Sequence, residues 1–248
     1  MASASQAVIA RPSYRVIGRN GLIDKYFYFA MSLLTIVIVV LGFGQTVNAN
    51  LIHPTIPRPG ILWVHGATFS TWVLFFVLQS ALVRTHNVRI HRTLGWFGVA
   101  LGTFMIPLGL YTAYVMTRFD VHQLHATEMV TFPGIQLTDM LSFTTFFLLA
   151  IYWRRKPELH RRSIFIATSV LLAAAFGRFP YLANHTIFYL GVDAVILLGV
   201  VRDLLVNRRV HTIYRIALPA LIIVQATAVY LFLGAPAWWV KVTNVIVG

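Results

Sequence analysis

The sequence contains no cysteine and only seven acidic residues in 248. The first absence excludes disulfides, thiolate metal sites and cysteine nucleophiles. The second leaves 20 lysines and arginines largely unmatched, for a formal net charge of +13, although charged residues are just 11% of the chain. A glycine-rich phosphate loop, an HExxH zinc motif and a serine nucleophile elbow are also missing, so hydrolysis of the soluble type has no footing. There is no low-complexity tail and no linker, and the segments between apolar stretches are too short for a soluble domain.

Apolar residues fill the chain instead, at 58% of the total. They fall in seven stretches, at residues 26–44, 61–83, 95–116, 131–153, 163–183, 186–206 and 213–234. Each approaches the ~20 helical residues needed to span about 30 Å of hydrocarbon. This predicts an all-α, polytopic bundle of seven transmembrane helices forming a single domain over residues 1–248. The first stretch is longer than a signal-peptide core and reads as an uncleaved anchor.

The basic residues report orientation. With the N-terminus inside, 16 of the 20 fall in inner segments, leaving only Arg58, Arg118, Arg178 and Lys241 outside. The positive-inside rule therefore predicts N-inside and C-outside. Tracts such as WRRKPELHRR are explained by topology and anionic lipid headgroups, with the bilayer as the partner and no nucleic acid implied.

A weak repeat runs through the chain. The third, fifth and seventh stretches are each preceded by a basic segment with a histidine: RIHR at 89–92, ELHRR at 158–162 and RVHTIYR at 209–215. The stretch before each carries His65, Asp139 or Asp193. Ionisable groups within spans are costly and are functional candidates. Counting from the hairpin turns puts Asp139, Arg178 and Asp193 at similar depth, which predicts a buried charge network. His122, His125 and Glu128, spaced i, i+3, i+6, form a weak candidate metal set with His185 or His65 as a further ligand.

The segment HGATFSTWVLFFVLQSALVRTHNVRIHRTLGW at 65–96 resembles a large bacterial family of multi-helix membrane proteins of unknown function. The shared pattern is His65-Gly66, Gln79, Arg84, His91-Arg92 and Gly95. Asp139, His160-Arg161-Arg162, Arg178-Phe179-Pro180 and Arg209-Val210-His211 extend it over most of residues 60–215. This resemblance implies the bacterial cytoplasmic membrane as location. A more distant likeness is to the six-helix, ascorbate-reducible cytochrome b family, which holds haem b between histidines on alternate helices. That likeness implies His91 and His160 as ligands of an inner haem b, with Arg92, Arg161 and Arg162 beside its propionates. It implies His65 as ligand of an outer haem, whose partner position on the fourth helix holds Asp139 instead of histidine.

Two classes of function follow. One is a haem b electron-transfer protein, linked to quinone. The other is a protein without redox cofactor: a transporter, a metal- or lipid-handling protein, or an accessory subunit of a larger membrane complex. Orientation is the first testable expectation. Reporter fusions at Glu158 and Arg208 should report the cytoplasmic side, and fusions at His122 and the C-terminus the opposite side. A cytoplasmic C-terminus would mean that the number of crossings is even.

Overall fold

The computed structural model describes residues 19–247. The segment 1–18, with Arg11 and Arg15 of the inner charge count, lies outside the described residues. The described chain is helical, with no strand among its residues. Helices α1 (Arg19–Gly44), α2 (Ile61–Arg84), α3 (Val88–Gln123), α4 (Pro133–Tyr152) and α5 (Pro157–Leu171) come first. Two short helices follow, α6 (Ala173–Phe176) and α7 (Pro180–Asn184). Then come α8 (Tyr189–Asn207), α9 (Thr212–Leu233) and α10 (Ala237–Val247). A π-helical turn (Asn48–Ile52) precedes α2, and a 3₁₀ turn (Thr127–Thr131) precedes α4.

Among the described residues, six helical segments are long and apolar enough to cross a membrane: α1, α2, α3, the 3₁₀ turn with α4, α5 with α6, and α9. This is compatible with an integral membrane protein. The stretch expected at 186–206 forms α8, which is apolar overall but carries three charged residues, Asp193, Arg202 and Asp203, and is not among these six. The stretch expected as one helix at 163–183 is three. Proline explains the second break, because its ring disfavours helical backbone in the residue before it. Phe179, ahead of Pro180, is accordingly extended.

The main units are two helical hairpins, α2–α3 and α4–α5, with α1 packed on α2, α6 and α8, and α9 on α4. Their turns are tight. His86 (φ 63°) closes α2, and Pro157 opens α5 at a position where its missing N–H costs nothing. Close packing sits elsewhere, at glycines inside helices. A Cβ on Gly42 would lie 2.5 Å from the Ala175 carbonyl oxygen, so only glycine lets α1 approach α6 backbone to backbone. Midway along the bundle Trp72, Phe143 and Phe147 form an aromatic cluster, with Phe143 and Phe147 stacked at 5.5 Å.

One end of the bundle is tied by an ion-pair cluster that no sequence spacing announced. Arg162 and Asp203 are fully buried and Arg202 is 1% exposed. Arg162 grips the Asp203 carboxylate with two N–H groups, Nε at 3.0 Å and Nη2 at 2.5 Å. Its Nη1 donates to Glu158 at 2.6 Å, and Arg202 donates to Asp203 at 2.6 Å and also to Asp24. The cluster therefore joins α1, α5 and α8. It also reaches the start of α9, where the His211 N–H donates to Asp203 at 3.3 Å. His211 Nδ1 accepts from the Ile213 N–H at 3.2 Å and so caps α9. Burial, with help from the Arg162 charge, holds the His211 imidazole below its ordinary value of 6.5.

Two outcomes follow for stability in detergent. Asp203→Ala removes the buried carboxylate shared by two buried guanidiniums, leaving Arg162 only Glu158 and Arg202 only Asp24, and should cost ~3 kcal/mol, read as a clear fall in unfolding temperature. Asp24→Ala, at the half-exposed margin, should cost much less. The capping Nδ1 must stay unprotonated, and the folded state binds a proton less readily than the unfolded one. The stability from His211 is thus complete above its unfolded value and is lost as pH falls below 6.5. His211→Asn, which keeps a cap, should flatten that part of the wild-type pH profile of unfolding.

Candidate functional site

A concavity of about 590 Å³ lies between α2, α3, α4 and α5 at the same arginine-rich end. Its walls are apolar and aromatic: Trp72, Phe75 and Phe76 from α2, Trp96 and Val99 from α3, Phe147 from α4 and Ile164 from α5. Its polar groups are few. They are Gln79, His91 and Arg92, with Arg154 and Arg155 in the α4–α5 turn and His160 on α5.

Two imidazoles face each other here because the two hairpins are built alike. His91 is the fourth residue of α3, and His160 is the fourth residue of α5. Their ring centroids are 6.3 Å apart and their planes cross at 74°. Each ring lies beside a backbone carbonyl of the preceding helix. His160 Nδ1 donates to the Ala150 carbonyl at 2.8 Å. In the neutral ring this leaves the lone pair on Nε2. His91 Nδ1 is buried beside the Gln79 carbonyl, without a hydrogen bond of ordinary geometry. Gly95, one turn beyond His91, lines the cavity, and a Cβ built there meets nothing within 4 Å. The α3 backbone is therefore bare toward the space that the imidazoles border.

Of the arginines expected at the cavity, Arg92 is there. Arg161 and Arg162 are not: they point to the other side of α5, where Asp24, Glu158 and Asp203 hold them. The helical period explains this, since 157, 160 and 164 share one face and 158, 161 and 162 another. Arg154 and Arg155 take their place at the rim. His65 lies far from the cavity, near the start of α2, stacked on Phe69 with its Nδ1 buried and unpaired among the described residues.

The expected network of Asp139, Arg178 and Asp193 does not form. Because the helix breaks after α5, Arg178 turns toward α1. Its Nε donates to Thr46 at 3.1 Å, its Nη1 donates to the Ala174 carbonyl, and its guanidinium lies over the Phe43 ring. Asp139 accepts from the Tyr189 hydroxyl at 2.8 Å, and Asp193 from Gln225 at 3.0 Å. The expected metal set is also dispersed. His122 Nε2 lies 3.2 Å from the Val247 carbonyl, and His185 Nδ1 lies 2.8 Å from the Tyr181 carbonyl. His125 occupies a left-handed turn, and Glu128 lies within the 3₁₀ turn. No group of three or more potential ligands that could hold a metal ion occurs among the described residues.

Sequence reasoning missed Trp72, Arg154 and Arg155. The arginines were visible only as inner-side charge, and Trp72 as one more apolar residue of a span. Comparison with protein-family profiles, with curated proteins and with solved structures finds no match to this chain.

Proposed function

We propose that the protein is an electron-transfer protein of the bacterial cytoplasmic membrane that binds one haem b between His91 and His160. In this reading α8 is the seventh span, with its charged side chains turned into the bundle. The N-terminus and the arginine-rich end face the cytoplasm.

The observation that carries the reading is the imidazole pair. His91 and His160 would hold the iron, each through one imidazole nitrogen. Their ring centroids, 6.3 Å apart with planes crossing at 74°, are near enough for one metal centre to be shared between them. The cavity fits too. Its volume is within the range of about 300–1,000 Å³ usual for ligand sites, and its walls are apolar with few polar groups. The bare Gly95 backbone is a further sign of a place shaped for a ligand.

Haem b supplies reversible one-electron chemistry, and the protein tunes it through ligands, charge and burial. The chain's own residues have distinct tasks. The Ala150 carbonyl fixes the His160 ring and strengthens its Nε2 as a donor. Arg92, Arg154 and Arg155 are placed to neutralise carboxylates at the rim. Trp72, Phe76 and Phe147 close the inner wall and keep water from it. Electron partners come from the membrane itself, either a quinone or a neighbouring subunit.

Absorption spectroscopy tests this. Protein purified after expression with haem precursor should show a reduced b-type alpha band. His91→Ala and His160→Ala should abolish it, and His211→Ala should retain it. Gly95→Leu should reduce haem content severalfold while leaving the unfolding temperature of haem-free protein unchanged, because the new side chain enters empty space. Colourless wild-type protein would overturn the haem and leave the non-redox class of function.

A further inference from the structure

Asp139 is the thirteenth of 26 residues in the span Thr127–Tyr152, and so sits at its midpoint. It lies on the same face of α4 as Ile135, Ser142 and Phe146, all of which are buried. The hydroxyl of Tyr189, from the start of α8, donates to its Oδ1 at 2.8 Å. Among the described residues no salt bridge reaches Asp139, and Tyr189 is the titratable group that faces it. Arg178, which the sequence placed at its level, is held by α1.

A carboxylate has about four acceptor sites to satisfy. At mid-span, with one hydroxyl and no cation, the anion would be left with most of them empty. An uncompensated charge at such a depth costs several kcal/mol, whereas a neutral acid needs only ordinary hydrogen bonds. The side chain is also not a relic of an ion pair within one helix, since its partner comes from α8 across the bundle.

We propose that Asp139 is a protonated carboxylic acid at neutral pH, and that with Tyr189 it forms a proton-binding site in the middle of the membrane. The inference rests on α4 spanning the bilayer and is independent of the haem. The site exchanges a proton and transfers no other group. Its chemical signature is that of a neutral acid in hydrocarbon: the acid gives its proton to a nitrogen of a lipophilic carbodiimide, its oxygen adds to the central carbon, and the O-acylisourea rearranges to a stable N-acylurea, whereas an ionised surface carboxylate brings no proton and does not react.

The test uses the full-length protein in lipid nanodiscs. Release from membranes by detergent but not by high salt or alkali establishes the membrane reading separately. Carbodiimide treatment at neutral pH followed by mapping should place the adduct on Asp139, at least tenfold above Asp24 or Glu158. The infrared spectrum should contain a protonated carboxyl band that shifts in heavy water, moves in Tyr189→Phe and disappears in Asp139→Asn. Mapping is done on wild-type protein, so it does not depend on whether a variant folds. A spectrum with carboxylate bands alone would overturn the proposal, even if the reagent could not reach the site. A protonated band that never exchanges in heavy water would also overturn it, since that acid would be a fixed hydrogen-bond donor and not a proton-binding site.

Discussion

The carboxylate of Asp203 organises the arginine-rich end of the molecule. It accepts five hydrogen bonds: two from Arg162 and one each from Arg202, Asn207 and the His211 backbone. Through these it fixes α5 against α8 and sets where α9 begins, and through Arg202 and Asp24 it fixes α1. The bundle otherwise relies on packing between helices whose outer faces are as apolar as lipid, where no hydrophobic drive distinguishes one arrangement from another. A buried ion-pair set adds little net stability over an apolar core, but it penalises every mispaired alternative. Its worth here is in the choice of neighbours: α5 cannot slide or rotate without breaking the contacts of Arg162 to Asp203 on α8 and of Arg161 to Asp24 on α1.

That constraint also shapes the cavity. One face of α5 carries Glu158, Arg161 and Arg162 into the ion-pair cluster, and the other carries Pro157, His160 and Ile164 to the cavity wall. Rotational freedom of α5 is thereby removed, and His160 is presented at a set angle with its Nδ1 on the Ala150 carbonyl. Opposite it, His91 is fixed by the short α2–α3 turn, and Gln79 donates to the His91 carbonyl at 3.4 Å. A separation of 6.3 Å between two rings on different hairpins thus follows from a turn on one side and from a salt-bridged helix on the other.

The architecture was legible because hydrophobic length and charge asymmetry are properties of composition. Six of the seven stretches correspond to apolar helical segments of sufficient length. The histidine repeat was legible in two of its three members: His91 and His160 occupy matching places in two similar hairpins, whereas His211 lies just ahead of α9 and caps it. Side-chain direction was not. Counting along a helix gives depth, but a residue's face depends on where the helix starts and breaks. Arg161 and Arg162 sit beside His160 in sequence, yet the 100° step per residue carries them to another partner. Arg178 was assigned its depth on an unbroken fifth helix. The break ahead of Pro180 gave it to Thr46 and Phe43. The Asp203 cluster was invisible for a related reason: Asp24, Arg162 and Asp203 are far apart in the chain, and only the fold makes them neighbours.

The same separation explains how charge is distributed through the membrane-crossing part. Four of the seven acidic residues, Asp24, Glu158, Asp203 and Asp120, are in ion pairs. Three of those four are spent at the arginine-rich end. The carboxyls deeper in the bundle, Asp139 and Asp193, meet a phenol and an amide. A chain with so few acids and so many arginines could have neutralised both with guanidiniums, and the one arginine near the right level is directed elsewhere. Between the cavity wall and Asp139 stand Phe147 and Phe143, stacked and nearly parallel, about eight residues or 12 Å of helix. No ion pair among the described residues screens that interval, so in a medium of low dielectric a charge added at the cavity end and a proton bound at Asp139 would each act on the other.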